Sequence, residues 1–204
     1  MPTKLKRKFD MILAREQRMA RFVALQAIRP KPFSVWEVMI PVIFILGFMR
    51  SREQREIFAQ NLMFTKRMAL DAAYEMLSKN QTKEMVMGGI AAKTQDLLST
   101  IPDGLYSEAI RQKQMNEMDL LVDHYCRLMD ADGSDYAALV GSTYPTPNDL
   151  AAFLDSLGDA ERAVTQAARE TLGSQTDDEK AERIEKAVDQ FRQQEIEAIY
   201  SRHT

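Results

Sequence analysis

Apolar side chains recur at intervals of three and four along most of this chain, the spacing that gathers residues on one face of an α-helix. Leu5, Phe9, Ile12, Met19, Phe22 and Val23 follow it over residues 3–28, with Lys4, Lys6, Arg7, Lys8, Arg15, Arg18 and Arg21 around them. This predicts a basic amphipathic helix ended by Pro30 and Pro32. Ile57, Phe58, Phe64, Met68, Ala72 and Met76 predict a second helix over residues 51–78, broken at Lys79-Asn80. Thr82 is placed to cap a third, running to about Ser99, which Gly88-Gly89 should kink or bring close to a neighbour. Ile101-Pro102-Asp103-Gly104 reads as a turn, and residues 105–129 as the strongest core helix, through Ile110, Met118, Leu121, Val122, Tyr125, Leu128 and Met129.

Further helical stretches are expected at 136–141 and 149–157, the second capped by Thr146 or Asn148. Gly158-Asp159 should separate this from a helix ending near Leu172. Thr176 with Glu179 forms the pattern of a capping box for a last helix, in which Ile184, Ala187, Val188, Phe191 and Ile199 make a regular stripe. With no strand alternation and no internal repeat, the expected fold is all-α: a multi-helix bundle with an N-terminal basic amphipathic helix and a kinked apolar helical wedge.

That wedge is Phe33 to Met49, FSVWEVMIPVIFILGFM, where the alternation of faces disappears. It holds one charge, Glu37, with Pro41 near its middle. As a straight helix its length would be about 25 Å, short of the roughly 30 Å of a bilayer's hydrocarbon core. Pro41 would divide it into two arms. Arg29 and Lys31 precede it and Arg50, Arg52 and Arg55 follow, so the preference of basic flanks for the cytoplasmic side places both ends on one face. A re-entrant or interfacial segment therefore fits better than a span, with Phe33, Trp36, Ile40, Phe44, Leu46 and Phe48 as contact residues. A run this short also suits a helix buried in a protein core or covered by a partner.

Charge sharpens the division. The net charge is −3, but the chain through Arg67 carries +9 and the remainder −12. Two units are expected: residues 1–50, a basic helix with the apolar contact segment, and residues 51–204, an acidic helical bundle. Lys4, Lys6, Arg7, Lys8, Arg15, Arg50 and Arg52 are the candidate contacts to an anionic membrane surface. Nucleic acid is disfavoured as a partner, because no recognisable binding module accompanies the basic residues. The single cysteine, Cys126, excludes an intrachain disulfide framework and suits a reducing compartment, and no secretory signal is evident.

Candidate chemistry is sparse. Asp119, Asp123, His124 and Cys126 lie near one another, and Asp123 is spaced to pair with Arg127, but no Glu-x-x-His pair or zinc-ligand spacing is present. Asp130, Asp132 and Asp135 resemble a shortened calcium loop whose twelfth position is Gly141 rather than glutamate. Gly88-Gly89 lacks the spacing of a phosphate-binding loop. No catalytic residue, metal or cofactor is expected. The function expected is that of a non-enzymatic peripheral or monotopic membrane-associated scaffold or adaptor on the cytoplasmic side. The alternative is a soluble subunit of a homo-oligomer or larger complex that buries residues 33–49 in a protein interface.

Overall fold

The computed structural model describes residues 3–27, 51–100, 106–172 and 178–201. Among them are seven helices and no strand: α1 Lys4–Ala27, α2 Ser51–Lys79, α3 Lys83–Thr100, α4 Glu108–Asp130, α5 Tyr136–Thr143, α6 Pro147–Leu172 and α7 Asp178–Tyr200. The fold is an all-α multi-helix bundle. Phe33 to Met49 and Arg50, the turn at 101–104, Gly173-Ser174 and the Thr176 cap lie outside the described residues.

Local chemistry sets the helix ends. Asn80 adopts φ 51° and Gln81 N–H donates to the Met76 carbonyl at 3.1 Å, closing α2 with the left-handed residue a helix C-terminus favours. Thr82 Oγ1 accepts from Met85 N–H at 3.4 Å at the start of α3. Ser107 caps α4 by accepting from Ile110 N–H, and Asp135 caps α5 by accepting from Ala138 N–H at 3.0 Å. Thr146 and Asp149 exchange backbone and side-chain hydrogen bonds at 3.0 and 3.2 Å at the start of α6.

The N-terminal helix is not an appendage. It packs along α2 and α7, burying Phe9, Ile12, Met19, Ala20, Val23, Ala24 and Ala27. A boundary at residue 50 therefore divides a shared core. Ile12 joins Leu70, Leu121 and Leu128 in the main cluster, while Met19 to Ala27 form a second cluster with Phe58, Ala59, Ile184 and Val188. Burying each large aliphatic side chain contributes ~1.5–3 kcal/mol, so removal of α1 would strip the centre of the bundle.

These contacts also fix chain direction. Phe9 meets Tyr74 edge to face at 5.1 Å, whereas Ala27 shares a cluster with Phe58, so α1 and α2 run antiparallel. Leu98 packs with Ile110 and Val164, and Ser107 Oγ lies 2.8 Å from Thr171 Oγ1. The C-terminal ends of α1, α3 and α6 and the N-terminal ends of α2, α4 and α7 consequently gather at one end of the bundle.

Two expected interruptions are absent. Gly158 lies inside the continuous helix α6, whose apolar stripe runs through Leu150, Leu154, Leu157, Val164 and Ala168. Gly88 and Gly89 lie inside α3, both exposed, and an added Cβ would meet nothing within 4 Å at either. The pair thus makes no close crossing with another described helix; the cap at Thr82 and the contacts of Thr94 and Arg111 hold α3 against α4 without it. Gly88→Ala and Gly89→Ala are each expected to stabilise the protein by roughly 0.5–1 kcal/mol, read as a raised urea midpoint at unchanged slope.

Candidate functional site: a buried charge layer and the outer face of α1

Helix α1 carries charge into the core. Lys8, 5% exposed, donates from Nζ to the Met129 carbonyl at 2.8 Å and reaches the Asp130 carbonyl at 3.5 Å. A cation there satisfies the last carbonyls of α4 and complements the negative end of its dipole. Arg15, 4% exposed, donates from Nε to Glu195 Oε1 at 2.8 Å and from Nη1 to Glu16 Oε1 at 2.7 Å, with a second ion pair from Nη2 to Glu195. Both residues were expected at an anionic surface. They are corrected to interior positions, because each lies on the buried side of α1: the end of α4 supplies the partners of Lys8, and Glu195 of α7 with the adjacent Glu16 supplies those of Arg15.

The layer continues across the bundle. Lys66 of α2 lies 3.7 Å from Glu16 and 3.5 Å from Glu161 of α6, and Arg192 of α7 contacts both Glu161 oxygens at 2.8 and 2.9 Å. Burial pushes the Glu16 carboxyl up, but Arg15 and Lys66 more than offset this and hold it near 2. Burial likewise opposes the charge on Arg15, and Glu16, Tyr136 and Glu195 outweigh it, raising its pKa above the ordinary value. Three cations, Arg15, Lys66 and Arg192, thereby meet three carboxylates, Glu16, Glu161 and Glu195.

Glu117 of α4 is the fourth carboxyl. It is buried and makes no ion pair with a described residue. Burial first, and the nearby Glu161 second, push it up to about 8, against the opposing pull of Lys66 and Arg192. A neutral, protonated Glu117 keeps the layer balanced at neutral pH. The charged groups of the layer are largely buried and paired with one another across α1, α2, α6 and α7.

The other candidate surface residues divide. Lys4 pairs with Asp132 at 2.8 Å and Lys6 with Asp10, both exposed. Arg7 is exposed with no ion pair to a described residue, and Arg52 lies in the first turn of α2. Arg18 and Arg21 share the solvent side of α1, also without an ion pair to a described residue. Beside them a groove of about 420 Å³ runs between α1 and α2, lined by Leu13, Ala20, Met63, Phe64, Arg21 and Arg67, with Glu56 also at its wall.

The polar cluster of α4 is resolved into separate roles. Asp119 and Asp123 both bind Lys83, at 2.7 and 2.8 Å, so Asp123 pairs with Lys83 rather than with Arg127. Arg127 donates to the Thr143 carbonyl at 3.0 Å and stands over the Tyr144 ring. His124 is buried, stacked on Phe153 at 4.2 Å and hydrogen-bonded through Nδ1 to Tyr144 Oη at 2.7 Å. Burial is the main cause that pushes it down to about 3, leaving the ring neutral. The Cys126 thiol is pushed up to about 11, chiefly by burial, which makes it a poor nucleophile. Among the described residues no group of three or more His, Cys, Asp or Glu side chains is placed to hold a metal ion.

No described helix is long and apolar enough to cross a membrane. Comparison with protein-family models, with curated proteins and with solved structures finds no match to this chain.

Proposed function

We propose that the protein is a non-enzymatic, peripheral or monotopic scaffold held to the cytoplasmic face of a membrane by residues 33–49. One observation carries this reading: the most apolar stretch of the sequence joins two antiparallel helices, so the chain departs from Ala27 and returns at Ser51 on the same end of the bundle. A segment that leaves and returns on one side suits one-sided insertion, as do its basic flanks. Leu25, 61% exposed, adds an apolar side chain near the departure point. The bundle is then the body that presents surfaces to other proteins.

Trp36 is the only tryptophan, so its fluorescence reports on this segment without substitutions. In the full-length protein, vesicles are expected to shield it from an aqueous quencher, and replacing residues 33–49 by a Gly/Ser linker of equal length should move the protein to the soluble fraction. Shielding without lipid, combined with dissociation of an oligomer when Ile40, Phe44 and Leu46 are changed to serine, would reject the membrane reading for that of a protein interface. Deleting the whole N-terminal region is unsuitable, because α1 belongs to the core.

A further inference from the structure

We infer that the outer face of α1, together with the α1–α2 groove, is the surface that lies against an anionic bilayer, so that the bundle rests on its side rather than standing on one end. This inference rests on the membrane reading and names its lipid class and contact residues. Arg7, Arg18 and Arg21 are all exposed, and none has an ion pair to a described residue. Their spacing of eleven and then three residues is close to whole helical turns, which sets them along one stripe of α1. Lys4 and Lys6 lie at the start of the same helix, paired with Asp132 and Asp10, and Arg67 borders the groove paired with Asp71. Glu56 is the carboxylate of the groove wall, and Gln60 donates to it at 3.4 Å.

The face thus offers guanidinium groups that have no ion pair among the described residues, beside an apolar groove. Guanidinium groups bind phosphate oxygens through paired N–H donors, and basic residues near a surface of negative potential each strengthen attachment. Leu13, Met63 and Phe64 in the groove, and Leu25 beyond it, supply apolar contact at the same surface. The stripe leads to Ala27, where the segment containing residues 33–49 begins. A side-on bundle sets Arg7, Arg18, Arg21 and the end of α1 at Ala27 in one plane; an end-on bundle would hold Arg7 about 30 Å farther from that plane than Ala27, at 1.5 Å per residue.

The test uses the full chain and vesicles of phosphatidylcholine with or without phosphatidylserine. Wild type is expected to favour the phosphatidylserine vesicles, and the Arg7→Gln/Arg18→Gln/Arg21→Gln variant to lose about 100-fold in affinity for them. The control, Lys93→Gln/Lys113→Gln/Lys186→Gln, removes the same charge from exposed positions on α3, α4 and α7 and should lose less than about tenfold. Circular dichroism should show both variants folded. Equal losses in the two variants, with Trp36 still shielded by vesicles, would overturn this inference alone. Absence of Trp36 shielding on either vesicle would overturn the membrane reading and this inference together. Tighter binding to double-stranded DNA than to phosphatidylserine vesicles would identify the arginine stripe as a nucleic-acid surface and also reject it.

Discussion

Replacing Arg15 with methionine is expected to destabilise the protein by about 3–5 kcal/mol, measured as a fall in the urea midpoint at pH 7. The magnitude follows from what remains. Glu16 and Glu195 both rely on the Arg15 guanidinium, and the one ion-pair partner then left to Glu16 among the described residues is Lys66, at 3.7 Å. An unpartnered buried carboxylate has lost its hydration without regaining a hydrogen bond, so deleting the cation costs far more than deleting a surface charge. Lys4→Gln and Lys6→Gln provide the contrast, since both pairs are exposed and each change should fall within about 0.5 kcal/mol. If Arg15→Met proved as mild as these, the layer would not be the interior cross-link its geometry describes. Arg15→Met combined with Glu16→Gln should recover part of the loss by removing one of the stranded charges.

Much of this architecture can be read from the spacing of side chains, and the errors arise where a charge shares that spacing. The stripe of α1 runs through Lys8, Ile12, Arg15, Glu16, Met19 and Val23, all buried. The amphipathic pattern located the helix, but assigning every cation to its polar side overlooked that Lys8 and Arg15 occupy the apolar stripe. Apart from Glu16 beside Arg15, their partners, Met129, Asp130 and Glu195, are more than a hundred residues away, and no local pattern identifies them. The same signal marks Lys66 beside Ala69 and Leu70, Glu117 beside Met118 and Leu121, and Arg192 beside Val188.

Glycine misled in the opposite way. Gly158 lies within a stripe that runs from Leu150 through Leu154 and Leu157 to Val164 and Ala168, with Glu161 of the charge layer in its path, and tertiary packing on that stripe outweighs its low helix propensity. Ser107 was missed as the cap of α4 because it lacks the glutamate three positions later that completes a capping box; Ile110 stands there instead. The residues expected at the membrane, Phe33 to Phe48, lie outside the described structure. What the fold adds is their position in the chain path, between helices whose ends converge.

Glu117→Gln is expected to stabilise the protein at alkaline pH and to flatten the fall in stability that the wild type shows between about pH 4.5 and 8. The carboxyl is pushed up to about 8 in the folded state by burial and by Glu161, against an ordinary value of 4.5. Below 4.5 it is protonated whether the chain is folded or not, and its contribution is fully present. As pH rises toward 8 the unfolded chain releases this proton while the folded chain retains it, so each pH unit weakens folding by up to ~1.4 kcal/mol. The groups facing it are Glu161 of α6, Lys66 of α2 and Arg192 of α7, and both cations already contact Glu161. Glutamine keeps the neutral shape without the linked proton, for an expected gain on the order of 2–4 kcal/mol near pH 8. Glu16 has the opposite sign: its carboxyl is held near 2, so its contribution is present above 4.5 and disappears as pH falls toward 2. Urea titrations across pH should therefore show the wild type weakening in both directions from mildly acidic pH, with Glu117→Gln removing the alkaline decline and retaining the acid one. An alkaline decline unchanged by Glu117→Gln would assign it to another group.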